Sequence, residues 1–421
     1  MIKAVVENCA GIDVGKRFVM VCLMVGAASA EPRTEIRRFG TTVAELEKLR
    51  GWLLENGCTD VVMESTGSYW KPIFNVLENS IKVLLANAEH VKNLRGHKTD
   101  PNDSRWLAHL LRHGLIRGSF IPPRDIRELR DLTRRRRQLL AEGTSERNRI
   151  QKVLEDGNVK LASVLSDLFG RSGQAMLEAL LENEKTPQQI AQFALGKLKP
   201  KVPQIIASLE EHRLTDHHRF MVRQALQHME FLEKMISEID TEILQKLKAY
   251  QEQFELLQTI PGIRKDSAAS ILAEVGPDMK QFATAGNLTS WAGICPGNYE
   301  SAGKRKSGRI RKGNRWLRGT LSQSAWAAAA KKDSYFRTRY YRLKPRRGSK
   351  RAIVAVAHSL LVVVYQVLAT GKPYQEPGPG YLDERRRNAL VRHHIRRLRE
   401  LGHAVPETGK TTAAMQPEQT L

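Results

Sequence analysis

Three strand-like segments precede any helical spacing in this chain. Val5, Val6, Ile12 and Val14 flank Asp13, Gly15 and Lys16 supply a turn, and Phe18 to Val25 is an apolar run rich in β-branched residues. Residues 5–24 therefore predict two strands around a tight turn. Pro32 to Phe39, ended by Gly40, predicts a third. Thr42 to Leu54 then changes to helical spacing through Val43, Leu46, Leu49, Leu53 and Leu54, with Gly57 beyond its end. Val61 to Glu64 and Ile81 to Leu85 predict two more strands. A helix starts between them at Pro72 to Leu77, and another runs from about Pro101 to Arg112. A β-β-β-α-β-α-β order leaves a mixed sheet, fed by a hairpin and covered by helices.

From Pro122 the pattern changes. Ile126, Leu129, Leu132, Leu139 and Leu140 recur among many arginines, and Ile150 and Leu154 continue the series, which predicts an extended amphipathic helix. Residues 155–200 predict short helices and loops. A second long helical stretch spans about Asp216 to Leu256, so the two could form an antiparallel hairpin or coiled-coil arm. Near Leu257, Thr259-Ile260-Pro261-Gly262-Ile263 precedes an alanine-rich helix, Ser267 to Glu274, closed by Gly276. This resembles a helix-hairpin-helix element, whose glycine turn can offer N–H groups to a phosphate. A Gly-, Lys- and Arg-rich loop (297–315) and helices at about 316–330 and 350–368 follow, and the last 30 residues predict a frayed tail. The expected domains are 1–120, a helical linker and oligomerisation region 121–256, 257–370, and a basic tail 371–421.

Charge narrows the partners. Lys plus Arg is 68 and Asp plus Glu is 45 in 421 residues, a formal charge of +23. The hydrophobic fraction of 41% excludes a wholly disordered or fibrous chain. Cys9, Cys22, Cys58 and Cys295 are too scattered for a disulfide scaffold or a structural zinc site. Asp13 interrupts any signal-peptide stretch, and the most apolar segment, Ala352 to Leu368, predicts a buried helix rather than a membrane span. The expectation is a cytoplasmic protein without a membrane partner, whose polyanionic partner is nucleic acid.

Four carboxylates stand against that basic trend. Asp13 lies inside the first strand among apolar neighbours, where an unpaired charge is costly. Glu64 ends a strand, and Asp100 and Asp103 flank a helix start with Pro101 suited to its first position. Singly, Asp100 reads as an N-cap, Asp103 as a helix-dipole residue and Asp13 as a turn former. Together they suit Mg²⁺ or Mn²⁺, hard ions that take carboxylate oxygens and can serve phosphodiester cleavage. The strand order and these acids resemble an RNase H-like, or RuvC-like, nuclease core.

Segment 301–350 holds 17 Lys or Arg against Asp333 alone, a net of +16. Gly303, Gly308 and Gly313 would let its backbone approach a phosphate chain, and Tyr299, Trp316, Tyr335, Phe336, Tyr340 and Tyr341 offer rings for stacking. Trp316 and Trp326 are expected in the core. Lys304, Arg305, Lys306, Arg309, Arg311, Lys312, Arg315 and Arg318 are the candidate phosphate contacts, and Arg124 to Arg137 a further set. Ser301 lies in this field and so does Ser307; either hydroxyl reads as a loop group or as a nucleophile whose developing charge the cations would stabilise.

Seven blocks carry a family resemblance: Gly11-Ile12-Asp13-Val14-Gly15-Lys16, Met63-Glu64-Ser65-Thr66-Gly67, Lys98-Thr99-Asp100-Pro101-Asn102-Asp103, Thr259 to Ile263, Leu272-Ala273-Glu274-Val275-Gly276, Asn298 to Gly303, and Lys312-Gly313-Asn314-Arg315-Trp316-Leu317-Arg318. In this order they resemble the bacterial DEDD-type insertion-sequence recombinases, the insertion sequence one-hundred-and-ten family. The resemblance implies a RuvC-like domain whose Asp13, Glu64, Asp100 and Asp103 bind Mg²⁺. It implies Ser301 as a nucleophile forming a 5′-phosphoserine link to DNA. It further implies a composite site in a dimer or tetramer, donor and target double-stranded DNA as substrates, a structured noncoding bridge RNA as guide, and a bacterial, nucleoid-associated location. Two other readings remain: a Mg²⁺-dependent RuvC-like junction endonuclease using water, and a nucleic-acid-binding factor without chemistry.

Overall fold

The structure is a computed structural model that describes residues 4–64, 67–86, 100–116, 118–296, 299–301, 304–307, 310 and 312–403; side chains at 100–102, 299–301, 304–307, 385, 386 and 388 lie outside that description. The chain forms two compact units, Met1–Ile121 and Pro122–Leu421.

The first unit is a five-stranded sheet in the order β3-β2-β1-β4-β5. Strands β1 (Cys9–Val14), β2 (Phe18–Val25) and β3 (Arg33–Gly40) form an antiparallel meander, while β4 (Asp60–Glu64) runs parallel to β1 and β5 (Lys82–Ala86) parallel to β4. This is the RNase H-like mixed sheet that the strand order predicts. Helices α1 (Val43–Glu55) and α2 (Trp70–Leu77) cover one face, closing on Ile12, Val14, Val61, Met63 and Leu85. The other face carries α3 (Asp100–Arg112), which packs Leu107, Ala108 and Leu111 on Cys9, Cys22, Met24 and Val62. Alternation along β1 thus sends Ile12 one way and Cys9, Gly11 and Asp13 the other.

Arg112 ends α3 with its side chain 2% exposed. Its guanidinium donates to the carbonyls of Glu7 (2.6 Å), Ala27 (2.8 Å), Gly26 (3.2 Å), Val6 (3.3 Å) and Ala30 (3.3 Å). One cation ties the N-terminal segment to the β2–β3 turn, satisfying carbonyls that lie outside the strand ladder.

In the second unit α4 (Arg124–Asp156) and α6 (Asp216–Leu247) form the expected antiparallel hairpin. Its rungs climb in register: Tyr250 with Asp125, Lys246 with Glu128 (2.7 Å), Asp240 with Arg136, His228 with Glu146 (3.1 Å) and His218 with Asp156 (2.9 Å). The far end carries a small apolar cap built from α5 (Arg171–Glu182) and short turns, with Leu161, Leu177, Leu180, Ile190 and Ile205 at its centre. The second long stretch stops at Leu247; one tight turn, Lys248–Tyr250, separates it from α7 (Gln251–Gln258).

The remainder is helical around α12 (Ser349–Thr370), which buries Ala352, Val356, Leu360, Val363, Val364 and Val367. It is the one helix among the described residues long and apolar enough to cross a membrane, and it packs inside this unit. Around it stand α8 (Lys265–Val275), α9 (Ala285–Trp291), α10 (Arg315–Ala330) and α11 (Tyr335–Arg347), with a two-stranded hairpin, β6 (Tyr299–Ser301) and β7 (Lys304–Ser307), between α9 and α10. Two helices occupy stretches to which the sequence assigns no element. Helix α11 occupies part of the basic stretch, and α13 (Tyr381–Glu400) occupies residues read as tail. Helix α13 holds Asp383 and Glu384 in its first turn and Arg397 and Arg399 in its last, charges that complement its dipole. Residues 404–421 lie outside the described residues.

Candidate active site and nucleic-acid interface

The acids begin with the register of the sheet. Ile12 of β1 pairs with Met63 of β4 in parallel, so Asp13 and Glu64 are the next neighbours on the two strands. Ile12 and Met63 belong to the α1 and α2 side. Asp13 and Glu64, one residue on, therefore face α3, and both are half-buried.

Helix α3 runs antiparallel to β1, as three contacts fix. The amides of Val5 and Val6 donate to Arg112 O (2.7 and 3.1 Å) at its end. Cys9 Sγ lies 3.7 Å from Ala108 O, and Gly11 lies flat against Ser104 and Ala108, with no room for a Cβ. Asp13 lies two residues beyond Gly11 along β1, in the direction of the N-terminal end of α3, which opens at Asp100 and carries half-buried Asp103. Asp13 and Glu64 thus lie on the sheet face that α3 covers. The Asp100 side chain lies outside the described residues, as do Ser65 and Thr66 after Glu64. Among the described residues no three His, Cys, Asp or Glu side chains stand close enough to hold a metal ion. The donor chemistry is nonetheless that of a hard divalent cation: carboxylate oxygens, half-buried, at the carboxyl ends of parallel strands.

In the second unit Ser301 ends β6 and pairs with Lys304, the first residue of β7; Glu300 pairs with Arg305 and Tyr299 with Ser307. Of the candidate phosphate contacts, Lys304, Arg305 and Lys306 are on β7, while Arg309 and Arg311 lie outside the described residues. Lys312 and Arg315 are exposed and Arg318 is half-buried on the first turn of α10. That helix start adds its own dipole to the side-chain charges.

Three expectations are corrected. Four arginines of α4, Arg130, Arg134, Arg136 and Arg137, are engaged inside the unit, whereas Arg124 and Arg135 are exposed and pair with surface acids. Arg130 donates to Ala273 O (3.0 Å) and Glu274 O (2.7 Å), Arg134 forks onto the Glu274 carboxylate, Arg136 pairs with Asp240 and Asp266, and Arg137 donates to Trp316 O (2.9 Å). Arg124 and Arg135 pair with Glu128 and Glu142, and Arg127 with Pro122 O. The aromatic residues also exchange roles. Tyr335, Phe336 and Tyr340 are buried, whereas Trp326 is 48% and Tyr341 49% exposed. Trp316 is half-buried, with Arg134, Arg137 and Arg315 around its ring. Finally, Gly262, at φ +83°, lies against the backbone of Ser324 and Ala328 in α10. The next two amides are satisfied internally, Ile263 N by Ile260 O (3.1 Å) and Arg264 N by Ser267 Oγ (2.8 Å). The turn serves helix packing.

The sequence pattern gives no role to Glu274, which is 2% exposed and holds Arg134 at 2.7 and 2.8 Å and Asn314 Nδ2 at 2.6 Å. Burial pushes the neighbouring Arg130 guanidinium down to about 10, still cationic at neutral pH.

Comparison with known proteins follows the same two regions. A DEDD-type transposase model (IS110) matches residues 10–158, and the model described as "Transposase IS116/IS110/IS902 family" matches 254–341. The insertion element IS900 uncharacterized 42 kDa protein of Mycobacterium paratuberculosis is 29% identical over 300 residues, covering 64% of this chain and 71% of that protein. A putative transposase, y4pF/y4sB, of Sinorhizobium fredii is 26% identical over 140 residues, 32% of this chain and 36% of that protein. The four acids fall within the first matched region, and Ser301 with the basic segment to Arg318 within the second.

Proposed function

The chain belongs to the IS110/IS902 insertion-sequence transposase family, with a DEDD-type, RuvC-like N-terminal domain, and from that we propose that it cleaves and rejoins donor and target DNA through a phosphoserine formed on Ser301. A structured noncoding RNA from the same element selects both DNAs by base pairing, and two or four copies assemble for the reaction. The observation that supports this reading is the packing of α3, the helix that carries Asp103, on Gly11 of the sheet face to which Asp13 and Glu64 belong.

Asp13, Glu64, Asp100 and Asp103 would hold one or two Mg²⁺ or Mn²⁺ ions, which supply charge neutralisation at a scissile phosphate when bound. The serine's part is displacement. A bond from Ser301 Oγ to phosphorus forms as the bond to the 3′ oxygen breaks. The serine proton passes to a base at the site, and the leaving oxygen ends as a free 3′ hydroxyl. That hydroxyl, or one from the other DNA, attacks the phosphoserine and restores a phosphodiester and the serine. One ester is exchanged for another at each step, so no high-energy cofactor is consumed. Lys304, Arg305, Lys306, Arg309, Arg311, Lys312, Arg315 and Arg318 stabilise charge on the transferring phosphate and hold the backbone. With sequence choice delegated to RNA, the protein needs no base-reading helix.

The test uses purified protein, the element's RNA, end-labelled donor and target duplexes and Mg²⁺, with adducts trapped in denaturant. An adduct in wild type that maps to the Ser301 peptide and vanishes in Ser301→Ala supports the reading. Clean cleavage without an adduct, unchanged in Ser301→Ala, makes the protein a water-using RuvC-like endonuclease. No cleavage, unaltered by Asp13→Asn or Asp103→Asn, leaves a binding factor.

A further inference from the structure

We propose that Glu274 and Asn314 form a positioning pair that fixes the base of the β6–β7 hairpin to arm helix α4; the proposal rests on the reading of Ser301 as the nucleophile. A carboxylate inside an alanine-rich helix survives burial only when its oxygens are fully engaged. Glu274 meets that condition through Arg134, whose fork reaches both oxygens at 2.7 and 2.8 Å, and through Asn314 Nδ2 at 2.6 Å.

Asn314 works in two directions. Its Oδ1 accepts from the amides of Trp316 (3.0 Å) and Leu317 (3.1 Å) and so starts α10. Its Nδ2 is then left pointing at Glu274. Two further contacts hold the same base. Pro296 and Ile310 form an antiparallel bridge, and Gly313 lies against Gly293, where a Cβ would stand 2.5 Å from the Gly293 amide. The bridge and the glycine contact tie the two legs of the hairpin to each other. The Asn314–Glu274 bond ties them outward, to α8 and through Arg130 and Arg134 to the arm.

Displacement at phosphorus needs near-linear approach, and a misplacement of about 1 Å costs on the order of 10²-fold in rate. A nucleophile at the end of a hairpin strand depends on where the hairpin is rooted. Glu274 and Asn314 touch no substrate in this scheme, so they are positioning residues. They also make the arm and the hairpin share one acid, so a displacement of α4 is transmitted to the serine.

Asn314→Ser tests the pair, since serine keeps the N-cap but is too short to reach Glu274; Asn314→Asp keeps cap and reach but sets carboxylate against carboxylate. Two readouts are taken on the full-length protein: amide exchange at Gly293, Ile294, Cys295, Ile310 and Gly313, and the rate of adduct formation with cognate RNA and DNA. In both variants exchange at these amides rises at least about tenfold, the loss expected for a charge-assisted hydrogen bond. Exchange in α12 stays unchanged, and adduct formation falls by about 10- to 100-fold with DNA affinity retained. Unchanged exchange, or faster exchange with adduct formation at the wild-type rate, overturns the proposal. Absence of any adduct in wild type instead overturns the role of Ser301, and the exchange measurement, which needs no chemistry, still decides whether the pair holds the hairpin.

Discussion

Gly11 and Ser104 meet backbone to backbone: a Cβ on Gly11 would run into the Ser104 carbonyl oxygen and stand 3.0 Å from Leu107 Cβ. Neither neighbour is a flexible side-chain end, so α3 must lift from β1 to admit even a methyl. Gly11→Ala is expected to destabilise the protein by about 1–3 kcal/mol and, under the proposed function, to abolish cleavage, because the helix that moves carries Asp100 and Asp103. Gly51→Ala is the control. Gly51 sits in α1 with nothing within 4 Å of an added Cβ, and the change is expected to stabilise by about 0.5–1 kcal/mol. Urea midpoints of the two variants check both signs; equal midpoints would show that the close approach is not tight.

The buried guanidinium of Arg112 makes a second prediction. Carbonyls from two separate segments converge on it, and Arg112→Met withdraws that donor from all of them at once. A loss of about 1.5–3 kcal/mol is expected in urea unfolding, the value of hydrogen bonds to a charged donor. Arg112→Lys keeps the charge but not the planar fork that spans Glu7 and Ala27 together. It should recover less than half of that loss. Full recovery by lysine would mean that charge alone, without geometry, holds the segment.

These two residues mark the limit of what the sequence makes legible. The strands and α1 to α3 follow from local signals: alternation, turn residues, a helical stripe and Pro101 at a helix start. Asp13 stands out because an acid in an apolar strand needs a reason. Glu274 gives no such signal, because it lies in a helix, where flanking Ala273 and Val275 do not share its face. The partners of the α4 arginines are not legible in this way. Arg130 and Glu274 are 144 positions apart, and no local pattern separates an arginine that grips a carbonyl from one that waits for phosphate. Tyr335, Phe336 and Tyr340 mislead for a related reason. Their basic neighbours suggest nucleic acid, but their rings pack inside the unit, Tyr335 on Tyr381, Phe336 on Tyr374 and Tyr340 on Trp326.

Cysteine chemistry supplies a pH prediction. Burial raises the thiols of Cys9 and Cys22 from 9.0 to about 11 and that of Cys58 to about 12. A thiol whose folded pKa is raised binds its proton more tightly in the native state. Its contribution is complete below pH 9 and is lost as pH climbs from about 9 towards 11–12. Stability should therefore fall with rising pH across that window, and Cys9→Ala should flatten the fall. At pH 8 iodoacetamide should spare Cys9, Cys22 and Cys58 until denaturant is added, leaving half-buried Cys295 as the site of native labelling. Native labelling of Cys58 would show that the unit opens locally.

The reassignment of the α4 arginines predicts two kinds of basic residue, told apart by salt. An arginine that neutralises a phosphate releases a counterion, and losing it reduces the slope of log K against log[salt] by about 0.9. Lys312 and Arg315 are exposed beside the Ser301 hairpin, and each change to alanine should reduce the slope by that amount with little effect on stability. Arg134→Ala should behave in the opposite way. It strips the fork from a carboxylate that is 2% exposed, so it should cost about 3–5 kcal/mol in urea unfolding while the salt slope of the folded fraction stays at the wild-type value. A slope that falls with Arg134→Ala would return the arm to the nucleic-acid surface, because a guanidinium whose charge Glu274 already neutralises has no counterion to release.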